Sequence, residues 1–191
     1  MSYKETAEKL SIYRGQIDEL RKKMREARAS IEPEGVSDYL FKRAGGGTVK
    51  LSELFGDKDT LFVIHNMGAS CPYCTLWADG FNGIYDHLAN RATFVLSSPD
   101  TPNTQKTFAA SRGWRFPMVS HNGTTFAADM GYRTEDGGWL PGTSMFRREL
   151  NSILRVSDAG FNPSDDFCVL WHIFDLLPGG AGDWQAKYRY G

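Results

Sequence analysis

The sequence predicts an α/β fold: a mixed central sheet flanked by helices, with a long N-terminal helical extension. Three observations lead to this prediction. Residues 3–31 carry apolar side chains at steps of three and four, which is the period of a helix. From residue 51 onward, short apolar runs alternate with longer amphipathic stretches, a pattern typical of parallel strands joined by helices. Near the C-terminus, residues 144–150 and 153–156 indicate an antiparallel hairpin, which makes the sheet mixed.

The amino-acid composition argues against several classes of protein. The chain has 191 residues, 41% hydrophobic and 24% charged, which is typical of a folded domain rather than a disordered chain. Its formal net charge of -1 argues against a nucleic-acid partner. No run is long and apolar enough for a membrane span, and the start of the chain lacks the apolar core of a secretory signal. Three cysteines make a poor disulfide framework, so we expect a cytoplasmic protein.

The N-terminal extension is expected to cover residues 1–35, and the α/β domain residues 36–191. Ser2 and Glu5 have the spacing of a capping box, which predicts the start of the helix. Its apolar stripe fits two interpretations: a helix packed across the domain surface, or an arm that forms a homodimer, since the stripe nearly follows a heptad repeat.

The remaining elements follow in a recognisable order. Strands are predicted at 61–65, 93–97 and 116–120, and helices at 72–90, 101–112 and 165–177. Asn151 and Ser152 are expected to form the turn of the closing hairpin. This order of strands and helices is that of the thioredoxin fold.

The chemistry is expected at Cys71 and Cys74, which stand where the first buried strand turns into a helix. A sulfur at a helix N-terminus faces unpaired N–H groups and the positive end of the helix dipole. Both favour the thiolate, so Cys71 is the expected nucleophile. Cys74, one turn further along, is spaced to resolve a mixed disulfide on Cys71. No cofactor and no metal are needed for this chemistry.

Two further residues are candidates for the catalytic site. Pro117 opens the third strand, where thioredoxin-fold proteins place a cis-proline facing the reactive cysteine; an ordinary trans proline at a strand entry is the alternative. His65 ends the first strand and is a candidate proton acceptor for the resolving thiol, or else a packed histidine with one satisfied nitrogen.

Several motifs resemble a bacterial thioredoxin-like family of unknown function, whose members are predicted dithiol-disulfide oxidoreductases. The matching runs are Cys71-Pro72-Tyr73-Cys74, Trp77-Ala78-Asp79-Gly80-Phe81-Asn82-Gly83, Gly113-Trp114-Arg115-Phe116-Pro117 and Asp175-Leu176-Leu177-Pro178-Gly179-Gly180-Ala181-Gly182. The resemblance implies a thioredoxin fold and thiol exchange with a disulfide-bearing protein or a small thiol. The side chains of these runs that are candidates for substrate binding are Tyr73, Trp77, Arg115 and Phe116.

Two other functions stay open. The Phe-Pro strand and the N-terminal extension also resemble peroxiredoxins, but these thiol peroxidases place Thr or Ser three residues before the reactive cysteine and Pro seven before. Here those positions hold Gly68 and Ile64. A non-enzymatic zinc site would combine the cysteine pair with Cys168 and His172, which share a helix face.

Overall fold

The computed structural model describes residues 2–150 and 152–190. They form two compact units, of which the first ends at Pro33 and the second begins at Glu34. The boundary expected from the sequence lies two residues further along the chain. The difference arises because residues 34–36 already form a strand of the second unit.

The first unit is the helix α1, Tyr3–Ala29. Its capping box is formed as predicted: the Ser2 hydroxyl accepts from the Glu5 N–H at 3.2 Å, and the Glu5 carboxylate accepts from the Ser2 N–H at 2.7 Å. No residue of α1 is buried. A homodimer through this helix stays a prediction.

The second unit is an eight-stranded sheet in the described residues, with short helices around it. The order of strands across the sheet is β1-β8-β7-β4-β5-β6-β2-β3. The elements in chain order are β1 (Glu34–Val36), β2 (Leu40–Arg43), β3 (Thr48–Lys50), α2 (Leu51–Leu54), β4 (Thr60–His65), α3 (Pro72–Gly83), α4 (Tyr85–Arg91), β5 (Thr93–Ser98), α5 (Pro102–Arg112), β6 (Met118–Ser120), α6 (Phe126–Asp129), β7 (Gly142–Glu149), β8 (Ser152–Gly160) and α7 (Val169–Phe174).

The central strands and the mixed sheet are confirmed. The predicted helix 72–90 is two helices, α3 and α4, with a break at Ile84. The last helix, α7, is shorter than predicted. Of the predicted hairpin turn, Asn151 lies outside the described residues, and Ser152 is the first residue of β8. The antiparallel strands β1, β2 and β3 were not predicted.

Strand directions decide what lies beside the cysteines. The strands β4, β5 and β6 are parallel, whereas β7 runs antiparallel to β4. Gly142, the first residue of β7, therefore pairs with His65, the last residue of β4. We call the edge where β4, β5 and β6 end and β7 begins the carboxyl edge.

Apolar side chains cover both faces of the central strands. Residues of β4 alternate between two buried clusters: Val63 belongs to one and Ile64 to the other. Alternating residues of a strand point to opposite faces, so the clusters lie on the two sides of the sheet. The cluster of Ile64 contains Trp77 and Phe81, which fixes α3 against the sheet directly after the cysteines.

The close pairing of β7 and β8 depends on Gly142. An added Cβ there would overlap the Tyr132 ring and lie 2.6 Å from the Ala159 carbonyl oxygen. We expect Gly142→Ala to lower the free energy of unfolding by about 1–3 kcal/mol, measured by denaturant unfolding. Gly160 faces Gly142 across the two strands and is the matched control, because its Cβ would meet nothing within 4 Å. Equal losses in the two variants would contradict this explanation.

Candidate active site

The reactive pair begins the helix α3. Cys71 is its N-cap, Pro72 is its first residue, and the Cys74 N–H donates to the Cys71 sulfur at 3.1 Å. The pKa of Cys71 is lowered from its ordinary value, first by a hydrogen bond from the Cys74 thiol. Backbone N–H groups at residues 73 and 74 lower it further, and burial opposes them. Cys71 is therefore the thiol that ionises more easily.

The pKa of Cys74 is shifted in the opposite direction. Its exposed fraction is 2%, against 9% for Cys71. The hydrogen bond to Cys71 and burial both raise the pKa of Cys74. The Met67 N–H donates to its sulfur at 3.5 Å. Both cysteines are free, and the pair combines a thiol of lowered pKa with a deeper thiol of raised pKa.

The loop between β4 and α3 is held from two sides. The Asn66 side chain accepts from the Gly68 N–H at 2.8 Å and donates to the Cys74 carbonyl at 3.3 Å. From the end of β5, the Asp100 carboxylate accepts from the Ala69 N–H at 2.8 Å. Gly68 has a positive φ of 104°, and a Cβ there would lie 3.0 Å from Asp100. These contacts fix the approach to Cys71.

The structure does not place Pro117 with the cysteines. Pro117 precedes β6, and its carbonyl oxygen accepts from the Leu96 N–H within β5, so it lies two strands away from β4 and inside the sheet rather than at the carboxyl edge. A proline that does lie at the carboxyl edge is Pro141, directly before the antiparallel strand β7. Every peptide bond within the described residues is trans, so the expected cis-proline is not found. Strand direction, which decides which residues lie at this edge, is not a local property of the sequence, and a catalytic role of Pro117 stays a prediction.

His65 is buried on the sheet face that carries Val63. It shares a hydrogen bond with the Ser144 hydroxyl at 2.9 Å, and its ring stacks on Tyr132 at 3.8 Å between centroids. Burial, followed by the electrostatic effects of His121 and Arg155, holds the pKa of His65 well below its usual range. In the described part of the chain, no hydrogen bond joins His65 to a cysteine, and its role as a base stays a prediction.

The four candidate substrate-binding residues divide into two groups. Tyr73 lies between the cysteines and contacts Trp77, with ring centroids 6.5 Å apart. Arg115 instead forms an ion pair with Asp86 at 2.9 Å, and Phe116 is a buried core residue before β6. Tyr73 and Trp77 are thus beside the dithiol, whereas Phe116 lies toward the other edge of the sheet.

The four ligands of the alternative zinc site do not form a cluster. Among residues 2–150 and 152–190, no group of three or more His, Cys, Asp or Glu side chains is arranged to hold a metal ion. Cys168 is buried at the start of α7, and burial raises its pKa, while His172 lies 3.7 Å from Asp166. The residues present do not fit a zinc ion at Cys71 and Cys74.

Comparisons with known proteins place the chain in a family. Residues 3–190 match the family described as a bacterial protein of unknown function, DUF899. The chain belongs to this family. A search of curated proteins returned no match. Within the described residues, no helix is long and apolar enough to cross a membrane.

Solved structures show which fold this DUF899 chain has. Peroxidoxin BcpB from Mycobacterium tuberculosis matches with 25% identity and a TM-score of 0.55, over 65% of this chain and 84% of that chain. A PrxQ variant from Xylella fastidiosa matches with 16% identity and a TM-score of 0.59, over 67% and 84%. A peroxiredoxin-like protein from Aquifex aeolicus matches with 14% identity and a TM-score of 0.52, over 67% and 74%. The fold is therefore thioredoxin-like, as predicted.

Sequence reasoning missed several residues around the dithiol of this DUF899 protein. Asn66 and Asp100 are polar residues directly after buried strands, and their position at strand ends could have indicated them. Pro141 could be found only with the direction of β7 known.

The asymmetry of the two thiols predicts a pH dependence. We expect the alkylation rate of Cys71 by iodoacetamide to rise with pH at a midpoint below that of free cysteine, about 8.5, because the thiolate is the reactive form. Cys74→Ala, which removes the donor, should move this midpoint upward, since the Cys74 thiol is the largest cause that lowers the pKa of Cys71. Cys168→Ala is the control. An unchanged midpoint in Cys74→Ala would refute this origin of the shift.

Proposed function

We propose that this chain is a dithiol-disulfide oxidoreductase that acts through Cys71 and Cys74 without a cofactor. The observation that carries the proposal is the asymmetry of the pair: a thiol of lowered pKa at a helix N-terminus, and a deeper thiol of raised pKa one turn away. The substrate is a disulfide-bearing protein or a small disulfide. This arrangement supplies both a nucleophile and a resolving group.

The first step is attack by the Cys71 thiolate on one sulfur of a substrate disulfide. A bond forms between Cys71 and that sulfur, the substrate S–S bond breaks, and the other substrate sulfur leaves as a thiolate. During this step the thiol of Cys74 stays protonated, because its pKa is raised beside the Cys71 thiolate.

The second step is attack by Cys74 on the Cys71 sulfur. Once Cys71 is in the mixed disulfide, its negative charge is gone, and this cause of the raised pKa of Cys74 disappears with it. Cys74 then gives its proton to the departing thiolate and closes the Cys71–Cys74 disulfide. The substrate gains two electrons and the dithiol loses two, so an external thiol must reduce the pair again.

The structural neighbours support thiol redox chemistry in general terms, because those named above are peroxiredoxins or peroxiredoxin-like. The family matched supplies no activity. We propose the cytoplasm as the compartment, since the pair would be returned to free thiols there by the reducing thiol systems.

Single cysteine variants test the proposal. We expect Cys71→Ser to lower the rate of disulfide reduction on the order of 10³-fold or more, because no nucleophile remains. Cys74→Ser should accumulate a mixed disulfide on Cys71, detected by intact mass after acid quenching. Cys168→Ser, which removes the third thiol, is the matched control and should keep the activity. Full exchange activity in Cys71→Ser would show that the assignment is wrong.

A thiol peroxidase is the second candidate, favoured by the peroxiredoxin neighbours. The residue three positions before Cys71 is Gly68, which offers no hydroxyl and packs on the Asp100 carboxylate. We therefore expect hydrogen peroxide to oxidise Cys71 no faster than it oxidises free cysteine, measured by stopped-flow. A much faster reaction would favour the peroxidase over the disulfide reductase.

A further inference from the structure

The helix α1 presents a continuous apolar stripe along one side. Its positions recur in alternating steps of three and four residues, and they hold Tyr3, Thr6, Leu10, Tyr13, Ile17, Leu20, Met24 and Ala27. The five large side chains from Leu10 to Met24 are 45–59% exposed. The helix is about 40 Å long, and a helix with an amphipathic face gains most of its stability by packing that face. The stripe therefore indicates an interaction surface.

The width of the stripe indicates what kind of surface fits it. Steps of three and four add up to a repeat of seven residues, which is the a/d pattern of a coiled coil. A stripe of this kind is narrower than the apolar face of a helix that packs on a broad surface. The pattern continues without interruption from Tyr3 to Ala27. Another helix is therefore the surface that fits the stripe.

Positive charge lines both edges of the stripe. In each heptad, the positions next to the stripe are the ones that form ion pairs between two helices and set the choice of partner. In α1 these flanking positions hold five cations, which are Lys9, Arg14, Arg21, Lys23 and Arg28. The Lys9 ammonium lies 5.8 Å from the centre of the Tyr13 ring, at the edge of the stripe. A helix that packs on the stripe would meet these cations on both sides.

The carboxylates of α1 are placed elsewhere. None of them occupies a flanking position between residues 3 and 29. They stand at the outer positions of the heptad, and they are Glu5, Glu8, Asp18, Glu19 and Glu26. A second copy of α1 would therefore bring cations against cations, whether the two helices ran parallel or antiparallel. Like charges in direct contact lie within the screening length of about 8 Å at physiological salt, so much of this repulsion remains.

We propose that α1 is a docking helix for a partner protein that presents an amphipathic helix with carboxylates at both edges of its own apolar stripe. Apolar side chains of the two helices fill the seam, and Asp or Glu side chains of the partner pair with the flanking cations. The occupant is thus a different protein, rather than a second copy of this chain or an anionic membrane. This inference goes beyond the thiol chemistry and does not depend on it.

The probe is a designed helical peptide of about four heptads, with Leu and Ile in its stripe and Glu at both flanking positions. A matched peptide differs only in having Lys at the flanking positions. We expect the full chain to bind the Glu peptide at least about tenfold more tightly than the Lys peptide, measured by fluorescence anisotropy. Raising the salt concentration from about 50 mM to about 500 mM should reduce this preference, because exposed charge pairs are screened.

Two charge-reversal variants of the full chain separate the flanking positions from the rest of α1. The flank variant changes three flanking cations to Glu, in the substitutions Lys9→Glu, Arg14→Glu and Lys23→Glu. The matched control changes three outer cations to Glu, in the substitutions Lys4→Glu, Lys22→Glu and Arg25→Glu. Both variants alter the net charge equally, and circular dichroism verifies that both keep the helix. We expect the flank variant to lose the preference for the Glu peptide and the control to keep it.

A further variant tests the stripe itself. Ile17→Asn places an amide at the centre of the seam and should weaken the binding of both peptides. The same chain is tested with the two other occupants. Sedimentation equilibrium of the chain alone should show a monomer, and vesicles of phosphatidylcholine and phosphatidylglycerol should not carry the chain in a flotation assay.

Several results would overturn the proposal. One is equal affinity of the chain for the two peptides, and another is no binding of the Glu peptide. A dimer that Ile17→Asn dissociates would assign the stripe to a second copy of this chain. Vesicle binding that the flank variant loses would assign it to an anionic membrane.

Discussion

The site depends on the short connection between β4 and α3, because it places one sulfur at the end of a helix and the other beneath it. Both ends of this connection are fixed: β4 is buried on both faces of the sheet, and α3 is packed by Trp77 and Phe81. Between them, the Asn66 and Asp100 side chains accept hydrogen bonds from two N–H groups of the loop, which would otherwise be unpaired next to the cysteines. The backbone N–H groups that remain at the helix start are those that face the Cys71 sulfur. The asymmetry of the two thiols is thus a consequence of where a buried strand ends.

Local signals in the sequence were sufficient for this part of the fold. The apolar run of β4 and the proline after Cys71 predict the strand, the turn and the helix. Likewise, Pro102 and Gly113 bound α5 as expected, the latter with a positive φ of 66°. What could not be predicted depends on pairing between distant segments. Whether Pro117 or Pro141 lies at the carboxyl edge follows from strand direction, and the surroundings of His65 follow from the face of β4 to which it points. Neither is encoded within a few residues of the position concerned.

The helix α1 carries two sequence patterns that favour opposite outcomes. The apolar stripe of α1 suggests self-association, but its flanks carry a second pattern. The positions on either side of the stripe in a heptad hold cations, among them Lys9, Arg14, Lys23 and Arg28. Pairing α1 with a second copy would bring like charges together across the interface, which costs free energy that salt reduces only in part. The stripe supplies the attraction for a homodimer and the flanks oppose it, so the apolar pattern alone does not determine the partner.

The contacts that lower the pKa of Cys71 also affect the redox balance of the pair. They stabilise the thiolate, which exists only in the reduced state, so they favour the dithiol over the disulfide and make the pair a stronger oxidant than it would be without them. Burial of the same sulfur acts in the opposite direction, because it raises the pKa of Cys71. The hydrogen bonds to the Cys71 sulfur and the burial of Cys71 therefore oppose each other, and their balance sets how strongly the reduced pair is favoured.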